Sequence, residues 1–369
     1  MNFDYSDEQK GLKDEARRFL AARCPASAVR KVLDNADVPF DRDLWKAVAE
    51  QGWLGAAIPE ADGGLGLGHV ELCVLAEELG RALAPIPFAS TVYFLAEALM
   101  RFGSPGQRAL LPRIAAGEVI GAFASSEGPG VLTKSALQTT VSGGTIRGEK
   151  IPVTDGDVAD WCVVLATENG QSGLYLVDMT AGGVTRETLS TLDPTRSAAR
   201  LIFDGAPAER LGDGDGFDQM QQLMDRAAVL LAFEQLGGAD RCLEMAKAYA
   251  LERQAFGRAI AGYQAIKHKL ADMYVKNEIA RSNCYYGAWA LNTDAGELPL
   301  AAATARVAAS EAYWFASKEN IQTHGGIGFT WEVDAHLYYR RSRQLAVVAG
   351  SPRLWKERLV SQLEMKNAA

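Results

Sequence analysis

Between Gly121 and about Leu211 the chain changes character, and that change constrains its fold more than any other feature. Valine, threonine and turn glycines replace the alanine, leucine and glutamate that dominate on either side. β-Branched side chains suit a pleated surface and lose rotamer freedom in a helix, so a strand-rich segment interrupts a helical protein. Candidate strands are Gln138–Val141, Thr145–Arg147, Trp161–Ala166, Gly173–Val177 and Ala199–Phe203, with turns at Gly143-Gly144 and Gly182-Gly183. Upstream, Ser6 and Gln9 form a capping-box pattern that starts a helix running to Cys24. Further helices are expected over Asp41–Gln51, Val70–Leu83, Thr91–Phe102 and Leu110–Ala116, with Pro85 and Pro87 as breaks. The glycine-rich stretch Ile58–Gly66 follows no strand of a βαβ unit, so it is taken as a connection between helices. Downstream, the helical period returns over Ala227–Ala250, Gln264–Leu291, Pro299–Ile321 and Pro352–Leu363. At 369 residues the chain exceeds one ordinary core. The expected division is a helical domain over 1–117, a β domain over 118–215 and a helical bundle over 216–369.

Bulk properties narrow the function. A hydrophobic content of 48% with 23% charged residues fits a globular protein. The net charge of −8 argues against nucleic acid or an anionic membrane surface as partner. No apolar run approaches the roughly 20 residues of a membrane helix. The first ten residues carry neither an apolar signal core nor an arginine-rich presequence, which favours a cytoplasmic location. Cys24, Cys73, Cys162, Cys242 and Cys284 are odd in number and form no CxxC pair, so they are expected to be buried thiols in a reducing compartment. His69, His268, His324 and His336 have no metal-ligand spacing.

The stretch from Tyr249 to Met273 carries the first chemical signal. Its apolar residues predict two amphipathic helical pieces flanking a turn near Gly257. Arg253 and Arg258 lie at that turn, with Gln254 and Gln264 on either side. Arginine forks suit phosphates and glycine permits close backbone approach, so the turn is either an anion site or a pair of surface arginines at a helix end. The order of these residues resembles the flavin-contacting signature of the acyl-CoA dehydrogenase family: an Arg preceding Phe256-Gly257, then Tyr263-Gln264, then Leu270-Ala-Asp-Met273. A second signature of that family recurs as Gln322-Thr-His-Gly-Gly-Ile-Gly328. The resemblance covers nearly the whole chain and is weakest in its middle third.

The resemblance implies an α+β fold with an N-terminal helical domain, a middle β-barrel-like domain and a C-terminal four-helix bundle. It implies FAD as cofactor and α,β-dehydrogenation of an acyl-CoA, in which a carboxylate removes an α-proton while hydride leaves the β-carbon for flavin N5. In such an enzyme the flavin does the redox work and the protein orients the reactants. Lys150-Ile-Pro-Val-Thr-Asp-Gly156 resembles the family strand that places Thr154 at the isoalloxazine edge, with Pro152 where an aromatic usually covers the ring. Ala124-Ser-Ser-Glu127 resembles the loop over the pyrimidine, where Ser126 would supply a hydroxyl, but Gly128–Thr133 departs from the family pattern. Arg253, Gln254, Phe256, Gln264, Gln322, Gly325 and Gly326 match positions that contact the flavin of a neighbouring subunit.

The base departs from the family. Counting from Gln322 through Gly328 to the last helix places Ala349 where the catalytic Glu sits, and the alternative seat used by some relatives falls on Ala227. The CoA-contacting Asp-x-x-Arg pattern survives only as Asp225, with Ala228 in place of the Arg. Glu234, seven residues beyond Ala227 on the same helix face and roughly 10 Å along the axis, is a candidate displaced base. Chains of this shorter type, ending in a pattern like Gly350-Ser-Pro-Arg-Leu-Trp355, pair in one subgroup with an unlike subunit that has a complete site. Members of that subgroup act on steroid side chains and other unusual acyl-CoAs. The resemblance therefore implies a dehydrogenase subunit whose partner supplies the base, in a homo- or hetero-oligomer (dimer or tetramer) that passes electrons to an acceptor flavoprotein. The alternatives are a homomeric enzyme using Glu234, or a structural subunit binding neither substrate nor flavin.

Overall fold

The computed structural model describes residues 5–35 and 37–368. Its first helix, α1 (Asp7–Arg23), begins at the expected capping box, with Gln9 N donating to Ser6 Oγ and Ser6 N to Gln9 Oε1. Helices α2 (Ala26–Leu33), α3 (Arg42–Glu50) and α4 (His69–Arg81) follow. The expected helix over Thr91–Phe102 is instead a buried π-helical stretch, Ala89–Ala96, that runs into α5 (Glu97–Phe102). Two short helices, α6 (Pro105–Arg108) and α7 (Leu111–Ala115), lead to the strands.

The middle of the chain is one sheet of eight strands: β1 (Gly121–Ala124), β2 (Thr140–Ser142), β3 (Thr145–Thr154), β4 (Trp161–Glu168), β5 (Gln171–Asp178), β6 (Val184–Thr188), β7 (Ala198–Pro207) and β8 (Glu209–Arg210). Their order is an open path, β6-β7-β3-β2-β4-β5-β8, with β1 pairing β4 in parallel. No pairing among the described residues closes it into a barrel, so the barrel-like expectation reduces to a sheet. Alternation explains its burial. Along β4, Cys162, Val164 and Ala166 face one apolar cluster, while Val163 and Leu165 face a second cluster that also holds Ile58, Leu95, Leu111 and Ile114.

Downstream lie α8 (Gly216–Glu252), the hairpin strands β9 (Gln254–Ala255) and β10 (Arg258–Ala259), α9 (Gln264–Asn292), α10 (Leu298–His324), a 3-10 turn over Gly325–Phe329, α11 (Ala335–Val347) and α12 (Pro352–Ala368). The described residues form two compact units. One takes the chain up to Val29, Cys73–Ala84 and everything from Ala228 onward; the other takes Arg30–Leu72 and Pro85–Ala227. Within the first, α4 and α8 touch backbone to backbone. A Cβ on Gly80 would lie 2.0 Å from the Glu234 carbonyl oxygen, and one on Gly237 would lie 1.8 Å from that of Glu77. A buried charge network reinforces this crossing, since the Glu77 carboxylate accepts from Lys13 (2.7 Å) and Arg281 (3.0 Å). No helix among the described residues is long and apolar enough to cross a membrane, and no cluster of His, Cys, Asp and Glu among them is arranged to hold a metal.

Candidate functional site

The expected turn near Gly257, between α8 and α9, is a two-residue hairpin. Arg258 pairs with Ala255 and Ala259 with Gln254. Both central residues have positive φ, Phe256 at 52° and Gly257 at 81°, as the primed turn that matches strand twist requires. The hairpin is locked from inside: Tyr263 Oη donates to the Ala255 carbonyl (2.9 Å), and the Arg258 guanidinium lies over the Tyr263 ring (4.0 Å). Arg258 is therefore the structural arginine of the pair. Arg253 is exposed, and its side chain makes no hydrogen bond, ion pair or ring contact among the described residues.

The second glycine motif lies beside this hairpin. Tyr249 near the end of α8 stacks on His324 at the end of α10, ring centres 4.3 Å apart, so residues distant in sequence share one surface. On it, Gln254, Gln264 and Gln322 are exposed and form no side-chain hydrogen bond among the described residues. Phe256 is 98% exposed, and Ile327, Phe329 and Trp331 are exposed too. Gly325 is held to glycine by its φ of 68°, and a Cβ on Gly326 would meet nothing within 4 Å. A guanidinium, three amides, an exposed aromatic and an unobstructed Gly-Gly backbone fit a phosphate-bearing cofactor such as FAD, presented outward rather than enclosed by this chain.

Ser126 and Thr154, expected at the ring edge, belong to the other unit. Ser126–Gly128 runs beside β3: Ile151 N donates to the Ser126 carbonyl (2.9 Å) and Gly128 N to the Ile151 carbonyl (3.0 Å). Buried Lys150 reaches Glu127 (2.8 Å), whose carboxylate also accepts from Thr139 Oγ1 (2.6 Å) and Gln138 N (2.7 Å). Burial lowers the Lys150 ammonium to about 8 in spite of that partner. Ser126 Oγ donates to the Gly128 carbonyl (3.1 Å), which leaves its lone pairs available. Thr154 ends β3, and the turn after it is fixed by Asp155, whose φ is 54° and whose carboxylate accepts from Ser90 Oγ of the π-helical stretch (2.6 Å). Asp and Asn tolerate that left-handed backbone better than most residues. Beyond Glu127 the chain diverges into Gly128 (φ 125°) and Gly130 (φ 105°), with Val131 exposed.

The base positions divide between helix and turn. Ala227 and Ala228 are fully buried in α8, beside buried Asp225. Neighbouring Arg226 is buried as well, its Nε donating to Glu97 Oε2 (2.7 Å), while His69 pairs with the other carboxylate oxygen. Sequence reasoning misses this triad because its members are 28 to 157 residues apart. Glu234 is 2% exposed and attracted by the buried Arg306 guanidinium. Ala349 lies in the turn between α11 and α12 with φ 60°. Its N–H has no acceptor among the described residues.

Comparisons with known proteins show the family and the fold. Residues 6–118 match the family model for the acyl-CoA dehydrogenase N-terminal domain and residues 214–360 that for the C-terminal domain. The chain is 37% identical over 363 residues to acyl-CoA dehydrogenase IpdE2 of Mycobacterium tuberculosis, covering 97% of this chain and 98% of that one. Among solved structures, it superposes on a chain of the ChsE4-ChsE5 complex of Mycobacterium tuberculosis with a TM-score of 0.89 at 28% identity, covering 99% of each. It also superposes on a chain of the Tcur3481-Tcur3483 steroid ACAD with a TM-score of 0.88 at 30% identity, covering 98% and 99%.

Proposed function

The chain belongs to the acyl-CoA dehydrogenase family, FAD-dependent oxidoreductases of the CH–CH bond of acyl-CoA, and on that premise we propose that it is the subunit of a two-subunit enzyme that lacks its own base. The observation that carries this reading is the outward, unpartnered set of Arg253, Gln254, Gln264 and Gln322 around Phe256, Gly325 and Gly326. Such a surface completes a flavin site held mainly by another chain. Alanine at both base positions, 227 and 349, supports a partner that removes the α-proton. The solved relatives described as paired complexes, one of them a steroid ACAD, favour an unlike partner and a bulky steroid-type acyl-CoA. The proposal includes domains over 1–117, 118–215 and 216–369, and an acceptor flavoprotein downstream.

FAD, when bound, supplies the hydride acceptor. Ser126 and Thr154 would meet the ring edge of a flavin held by this chain, and Arg253 and Gln322 the pyrophosphate and adenosine end of the flavin held by the partner. Asp225 would serve on the CoA side of the substrate. The Ala349 N–H would donate to a thioester carbonyl, a function of the backbone that does not need the missing carboxylate. Burial of Glu234 against Arg306 speaks for a structural counter-charge rather than a displaced base. Arg253→Ala in the assembled protein tests the central assignment. Losing a charge-assisted contact typically costs about 1.5–3 kcal/mol, so flavin affinity should fall by roughly one to two orders of magnitude. Unchanged flavin content and affinity would remove Arg253 from the site.

A further inference from the structure

The Ala349 turn is held from both sides by side chains to which the proposed function gives no part at the thioester; the role inferred for them rests on the reading of that turn as a thioester seat. Ala349 has φ 60° and Gly350 φ 105°. A residue with a Cβ keeps a left-handed backbone only where its surroundings over-determine it. The turn follows the end of α11, where the last carbonyls have no partner within the helix. Arg306 of α10 reaches these groups: its Nη2 donates to the carbonyls of Leu345 and Val348 (2.7 Å for the latter), and its Nη1 to Gln235 Oε1. From the other side, Trp355 in the first turn of α12 donates its indole Nε1–H to the Ala349 carbonyl (2.9 Å). Val348 N and Gly350 N are used within the turn, donating to Gln344 and Val347.

Arg306 and Trp355 are each 1% exposed. Burial pushes the Arg306 guanidinium down to about 10, which leaves it charged at neutral pH. Water caps an ordinary exposed helix end. Here a buried charge and a buried indole fix the peptide groups on both sides of one residue, and the N–H of that residue is the donor left over. We propose that Arg306 and Trp355 are positioning residues that hold the Ala349 N–H toward the carbonyl oxygen of an acyl thioester, so that the turn persists as a backbone donor site although its carboxylate is gone.

Trp355→Phe is the informative variant, because it removes one N–H and keeps the ring in place; Arg306→Lys, which keeps the charge but not the fork, is its companion. Both are measured in the full-length assembled protein against two probes, hexanoyl-CoA and the thioether S-hexyl-CoA, which lacks the carbonyl. The wild-type protein should prefer the thioester, and Trp355→Phe should reduce that preference by about three- to tenfold, the worth of one hydrogen bond. Amide exchange of the 346–351 segment should rise in parallel, with flavin content unchanged. Faster exchange with an unchanged thioester preference would reduce both residues to helix caps and overturn the proposal. So would unchanged exchange and preference in both variants, or a wild-type protein that binds the probes equally or not at all. Flavin content and the Arg253→Ala result report separately on the subunit reading, so the two can fail independently.

Discussion

Glu97 shows what single residues hold and why the sequence conceals it. Burial alone would raise its carboxyl, but His69 and Arg226 outweigh burial and keep it at about 2. Its folded pKa is thus depressed below the ordinary 4.5. By linkage, its stabilising contribution is fully present above pH about 4.5 and fades as pH falls toward 2. Glu97→Gln leaves Arg226 buried without its carboxylate, and breaking such a pair costs about 3–5 kcal/mol. Denaturant unfolding should show that loss at pH 7 and a flatter acid limb between pH 4.5 and 2; an unchanged midpoint would assign the triad no role. The sequence offers no sign of this triad, because nothing local links positions 69, 97 and 226. The positions proposed for the flavin stand out in the sequence for the opposite reason: Arg253 to Gln264 and Gln322 to Gly328 are short contiguous runs. Residue type alone groups Arg258 with Arg253, and only the Tyr263 ring beneath it separates their roles.

At the scale of elements, periodicity locates most long helices and central strands but not the elements whose pattern is mixed. Strand β3 is expected from sequence over Thr145–Arg147; antiparallel pairing with β7 carries it on to Thr154. Helix α11 escapes the sequence pattern because its core face includes an arginine, Arg341, which is 1% exposed. Strands β1, β6 and β8 and helix α2 are short, and short elements leave little pattern to find. The α4–α8 crossing is a geometric constraint that composition alone does not reveal. Gly237→Ala would force a Cβ into the Glu77 carbonyl, and overpacking of this kind costs about 1–3 kcal/mol. Gly11→Ala in α1 meets nothing within 4 Å and should stabilise by about 0.5–1 kcal/mol through helix propensity. Thermal unfolding of the two variants checks the pair; shifts of the same sign would refute the close-approach account.

For the whole molecule, the central question is which chain removes the proton. This chain has alanine at 227 and 349, a buried carboxylate at 234 that faces an arginine, and a turn that presents a backbone donor without a base. A positioned base contributes about 10²–10⁴-fold to such a reaction, so its absence should be visible directly. Ala349→Glu should restore part of that factor if the chain holds its own flavin and thioester, and none if the departures at Ala228 and Gly128–Thr133 leave its own site degenerate. The most direct measurement is dehydrogenase turnover of the purified chain alone and after co-expression with the proposed partner subunit, under the same acyl-CoA and electron acceptor. The account predicts little or no turnover alone and substantial turnover in the co-expressed assembly. High turnover by the isolated wild-type chain, abolished by Glu234→Gln, would contradict it.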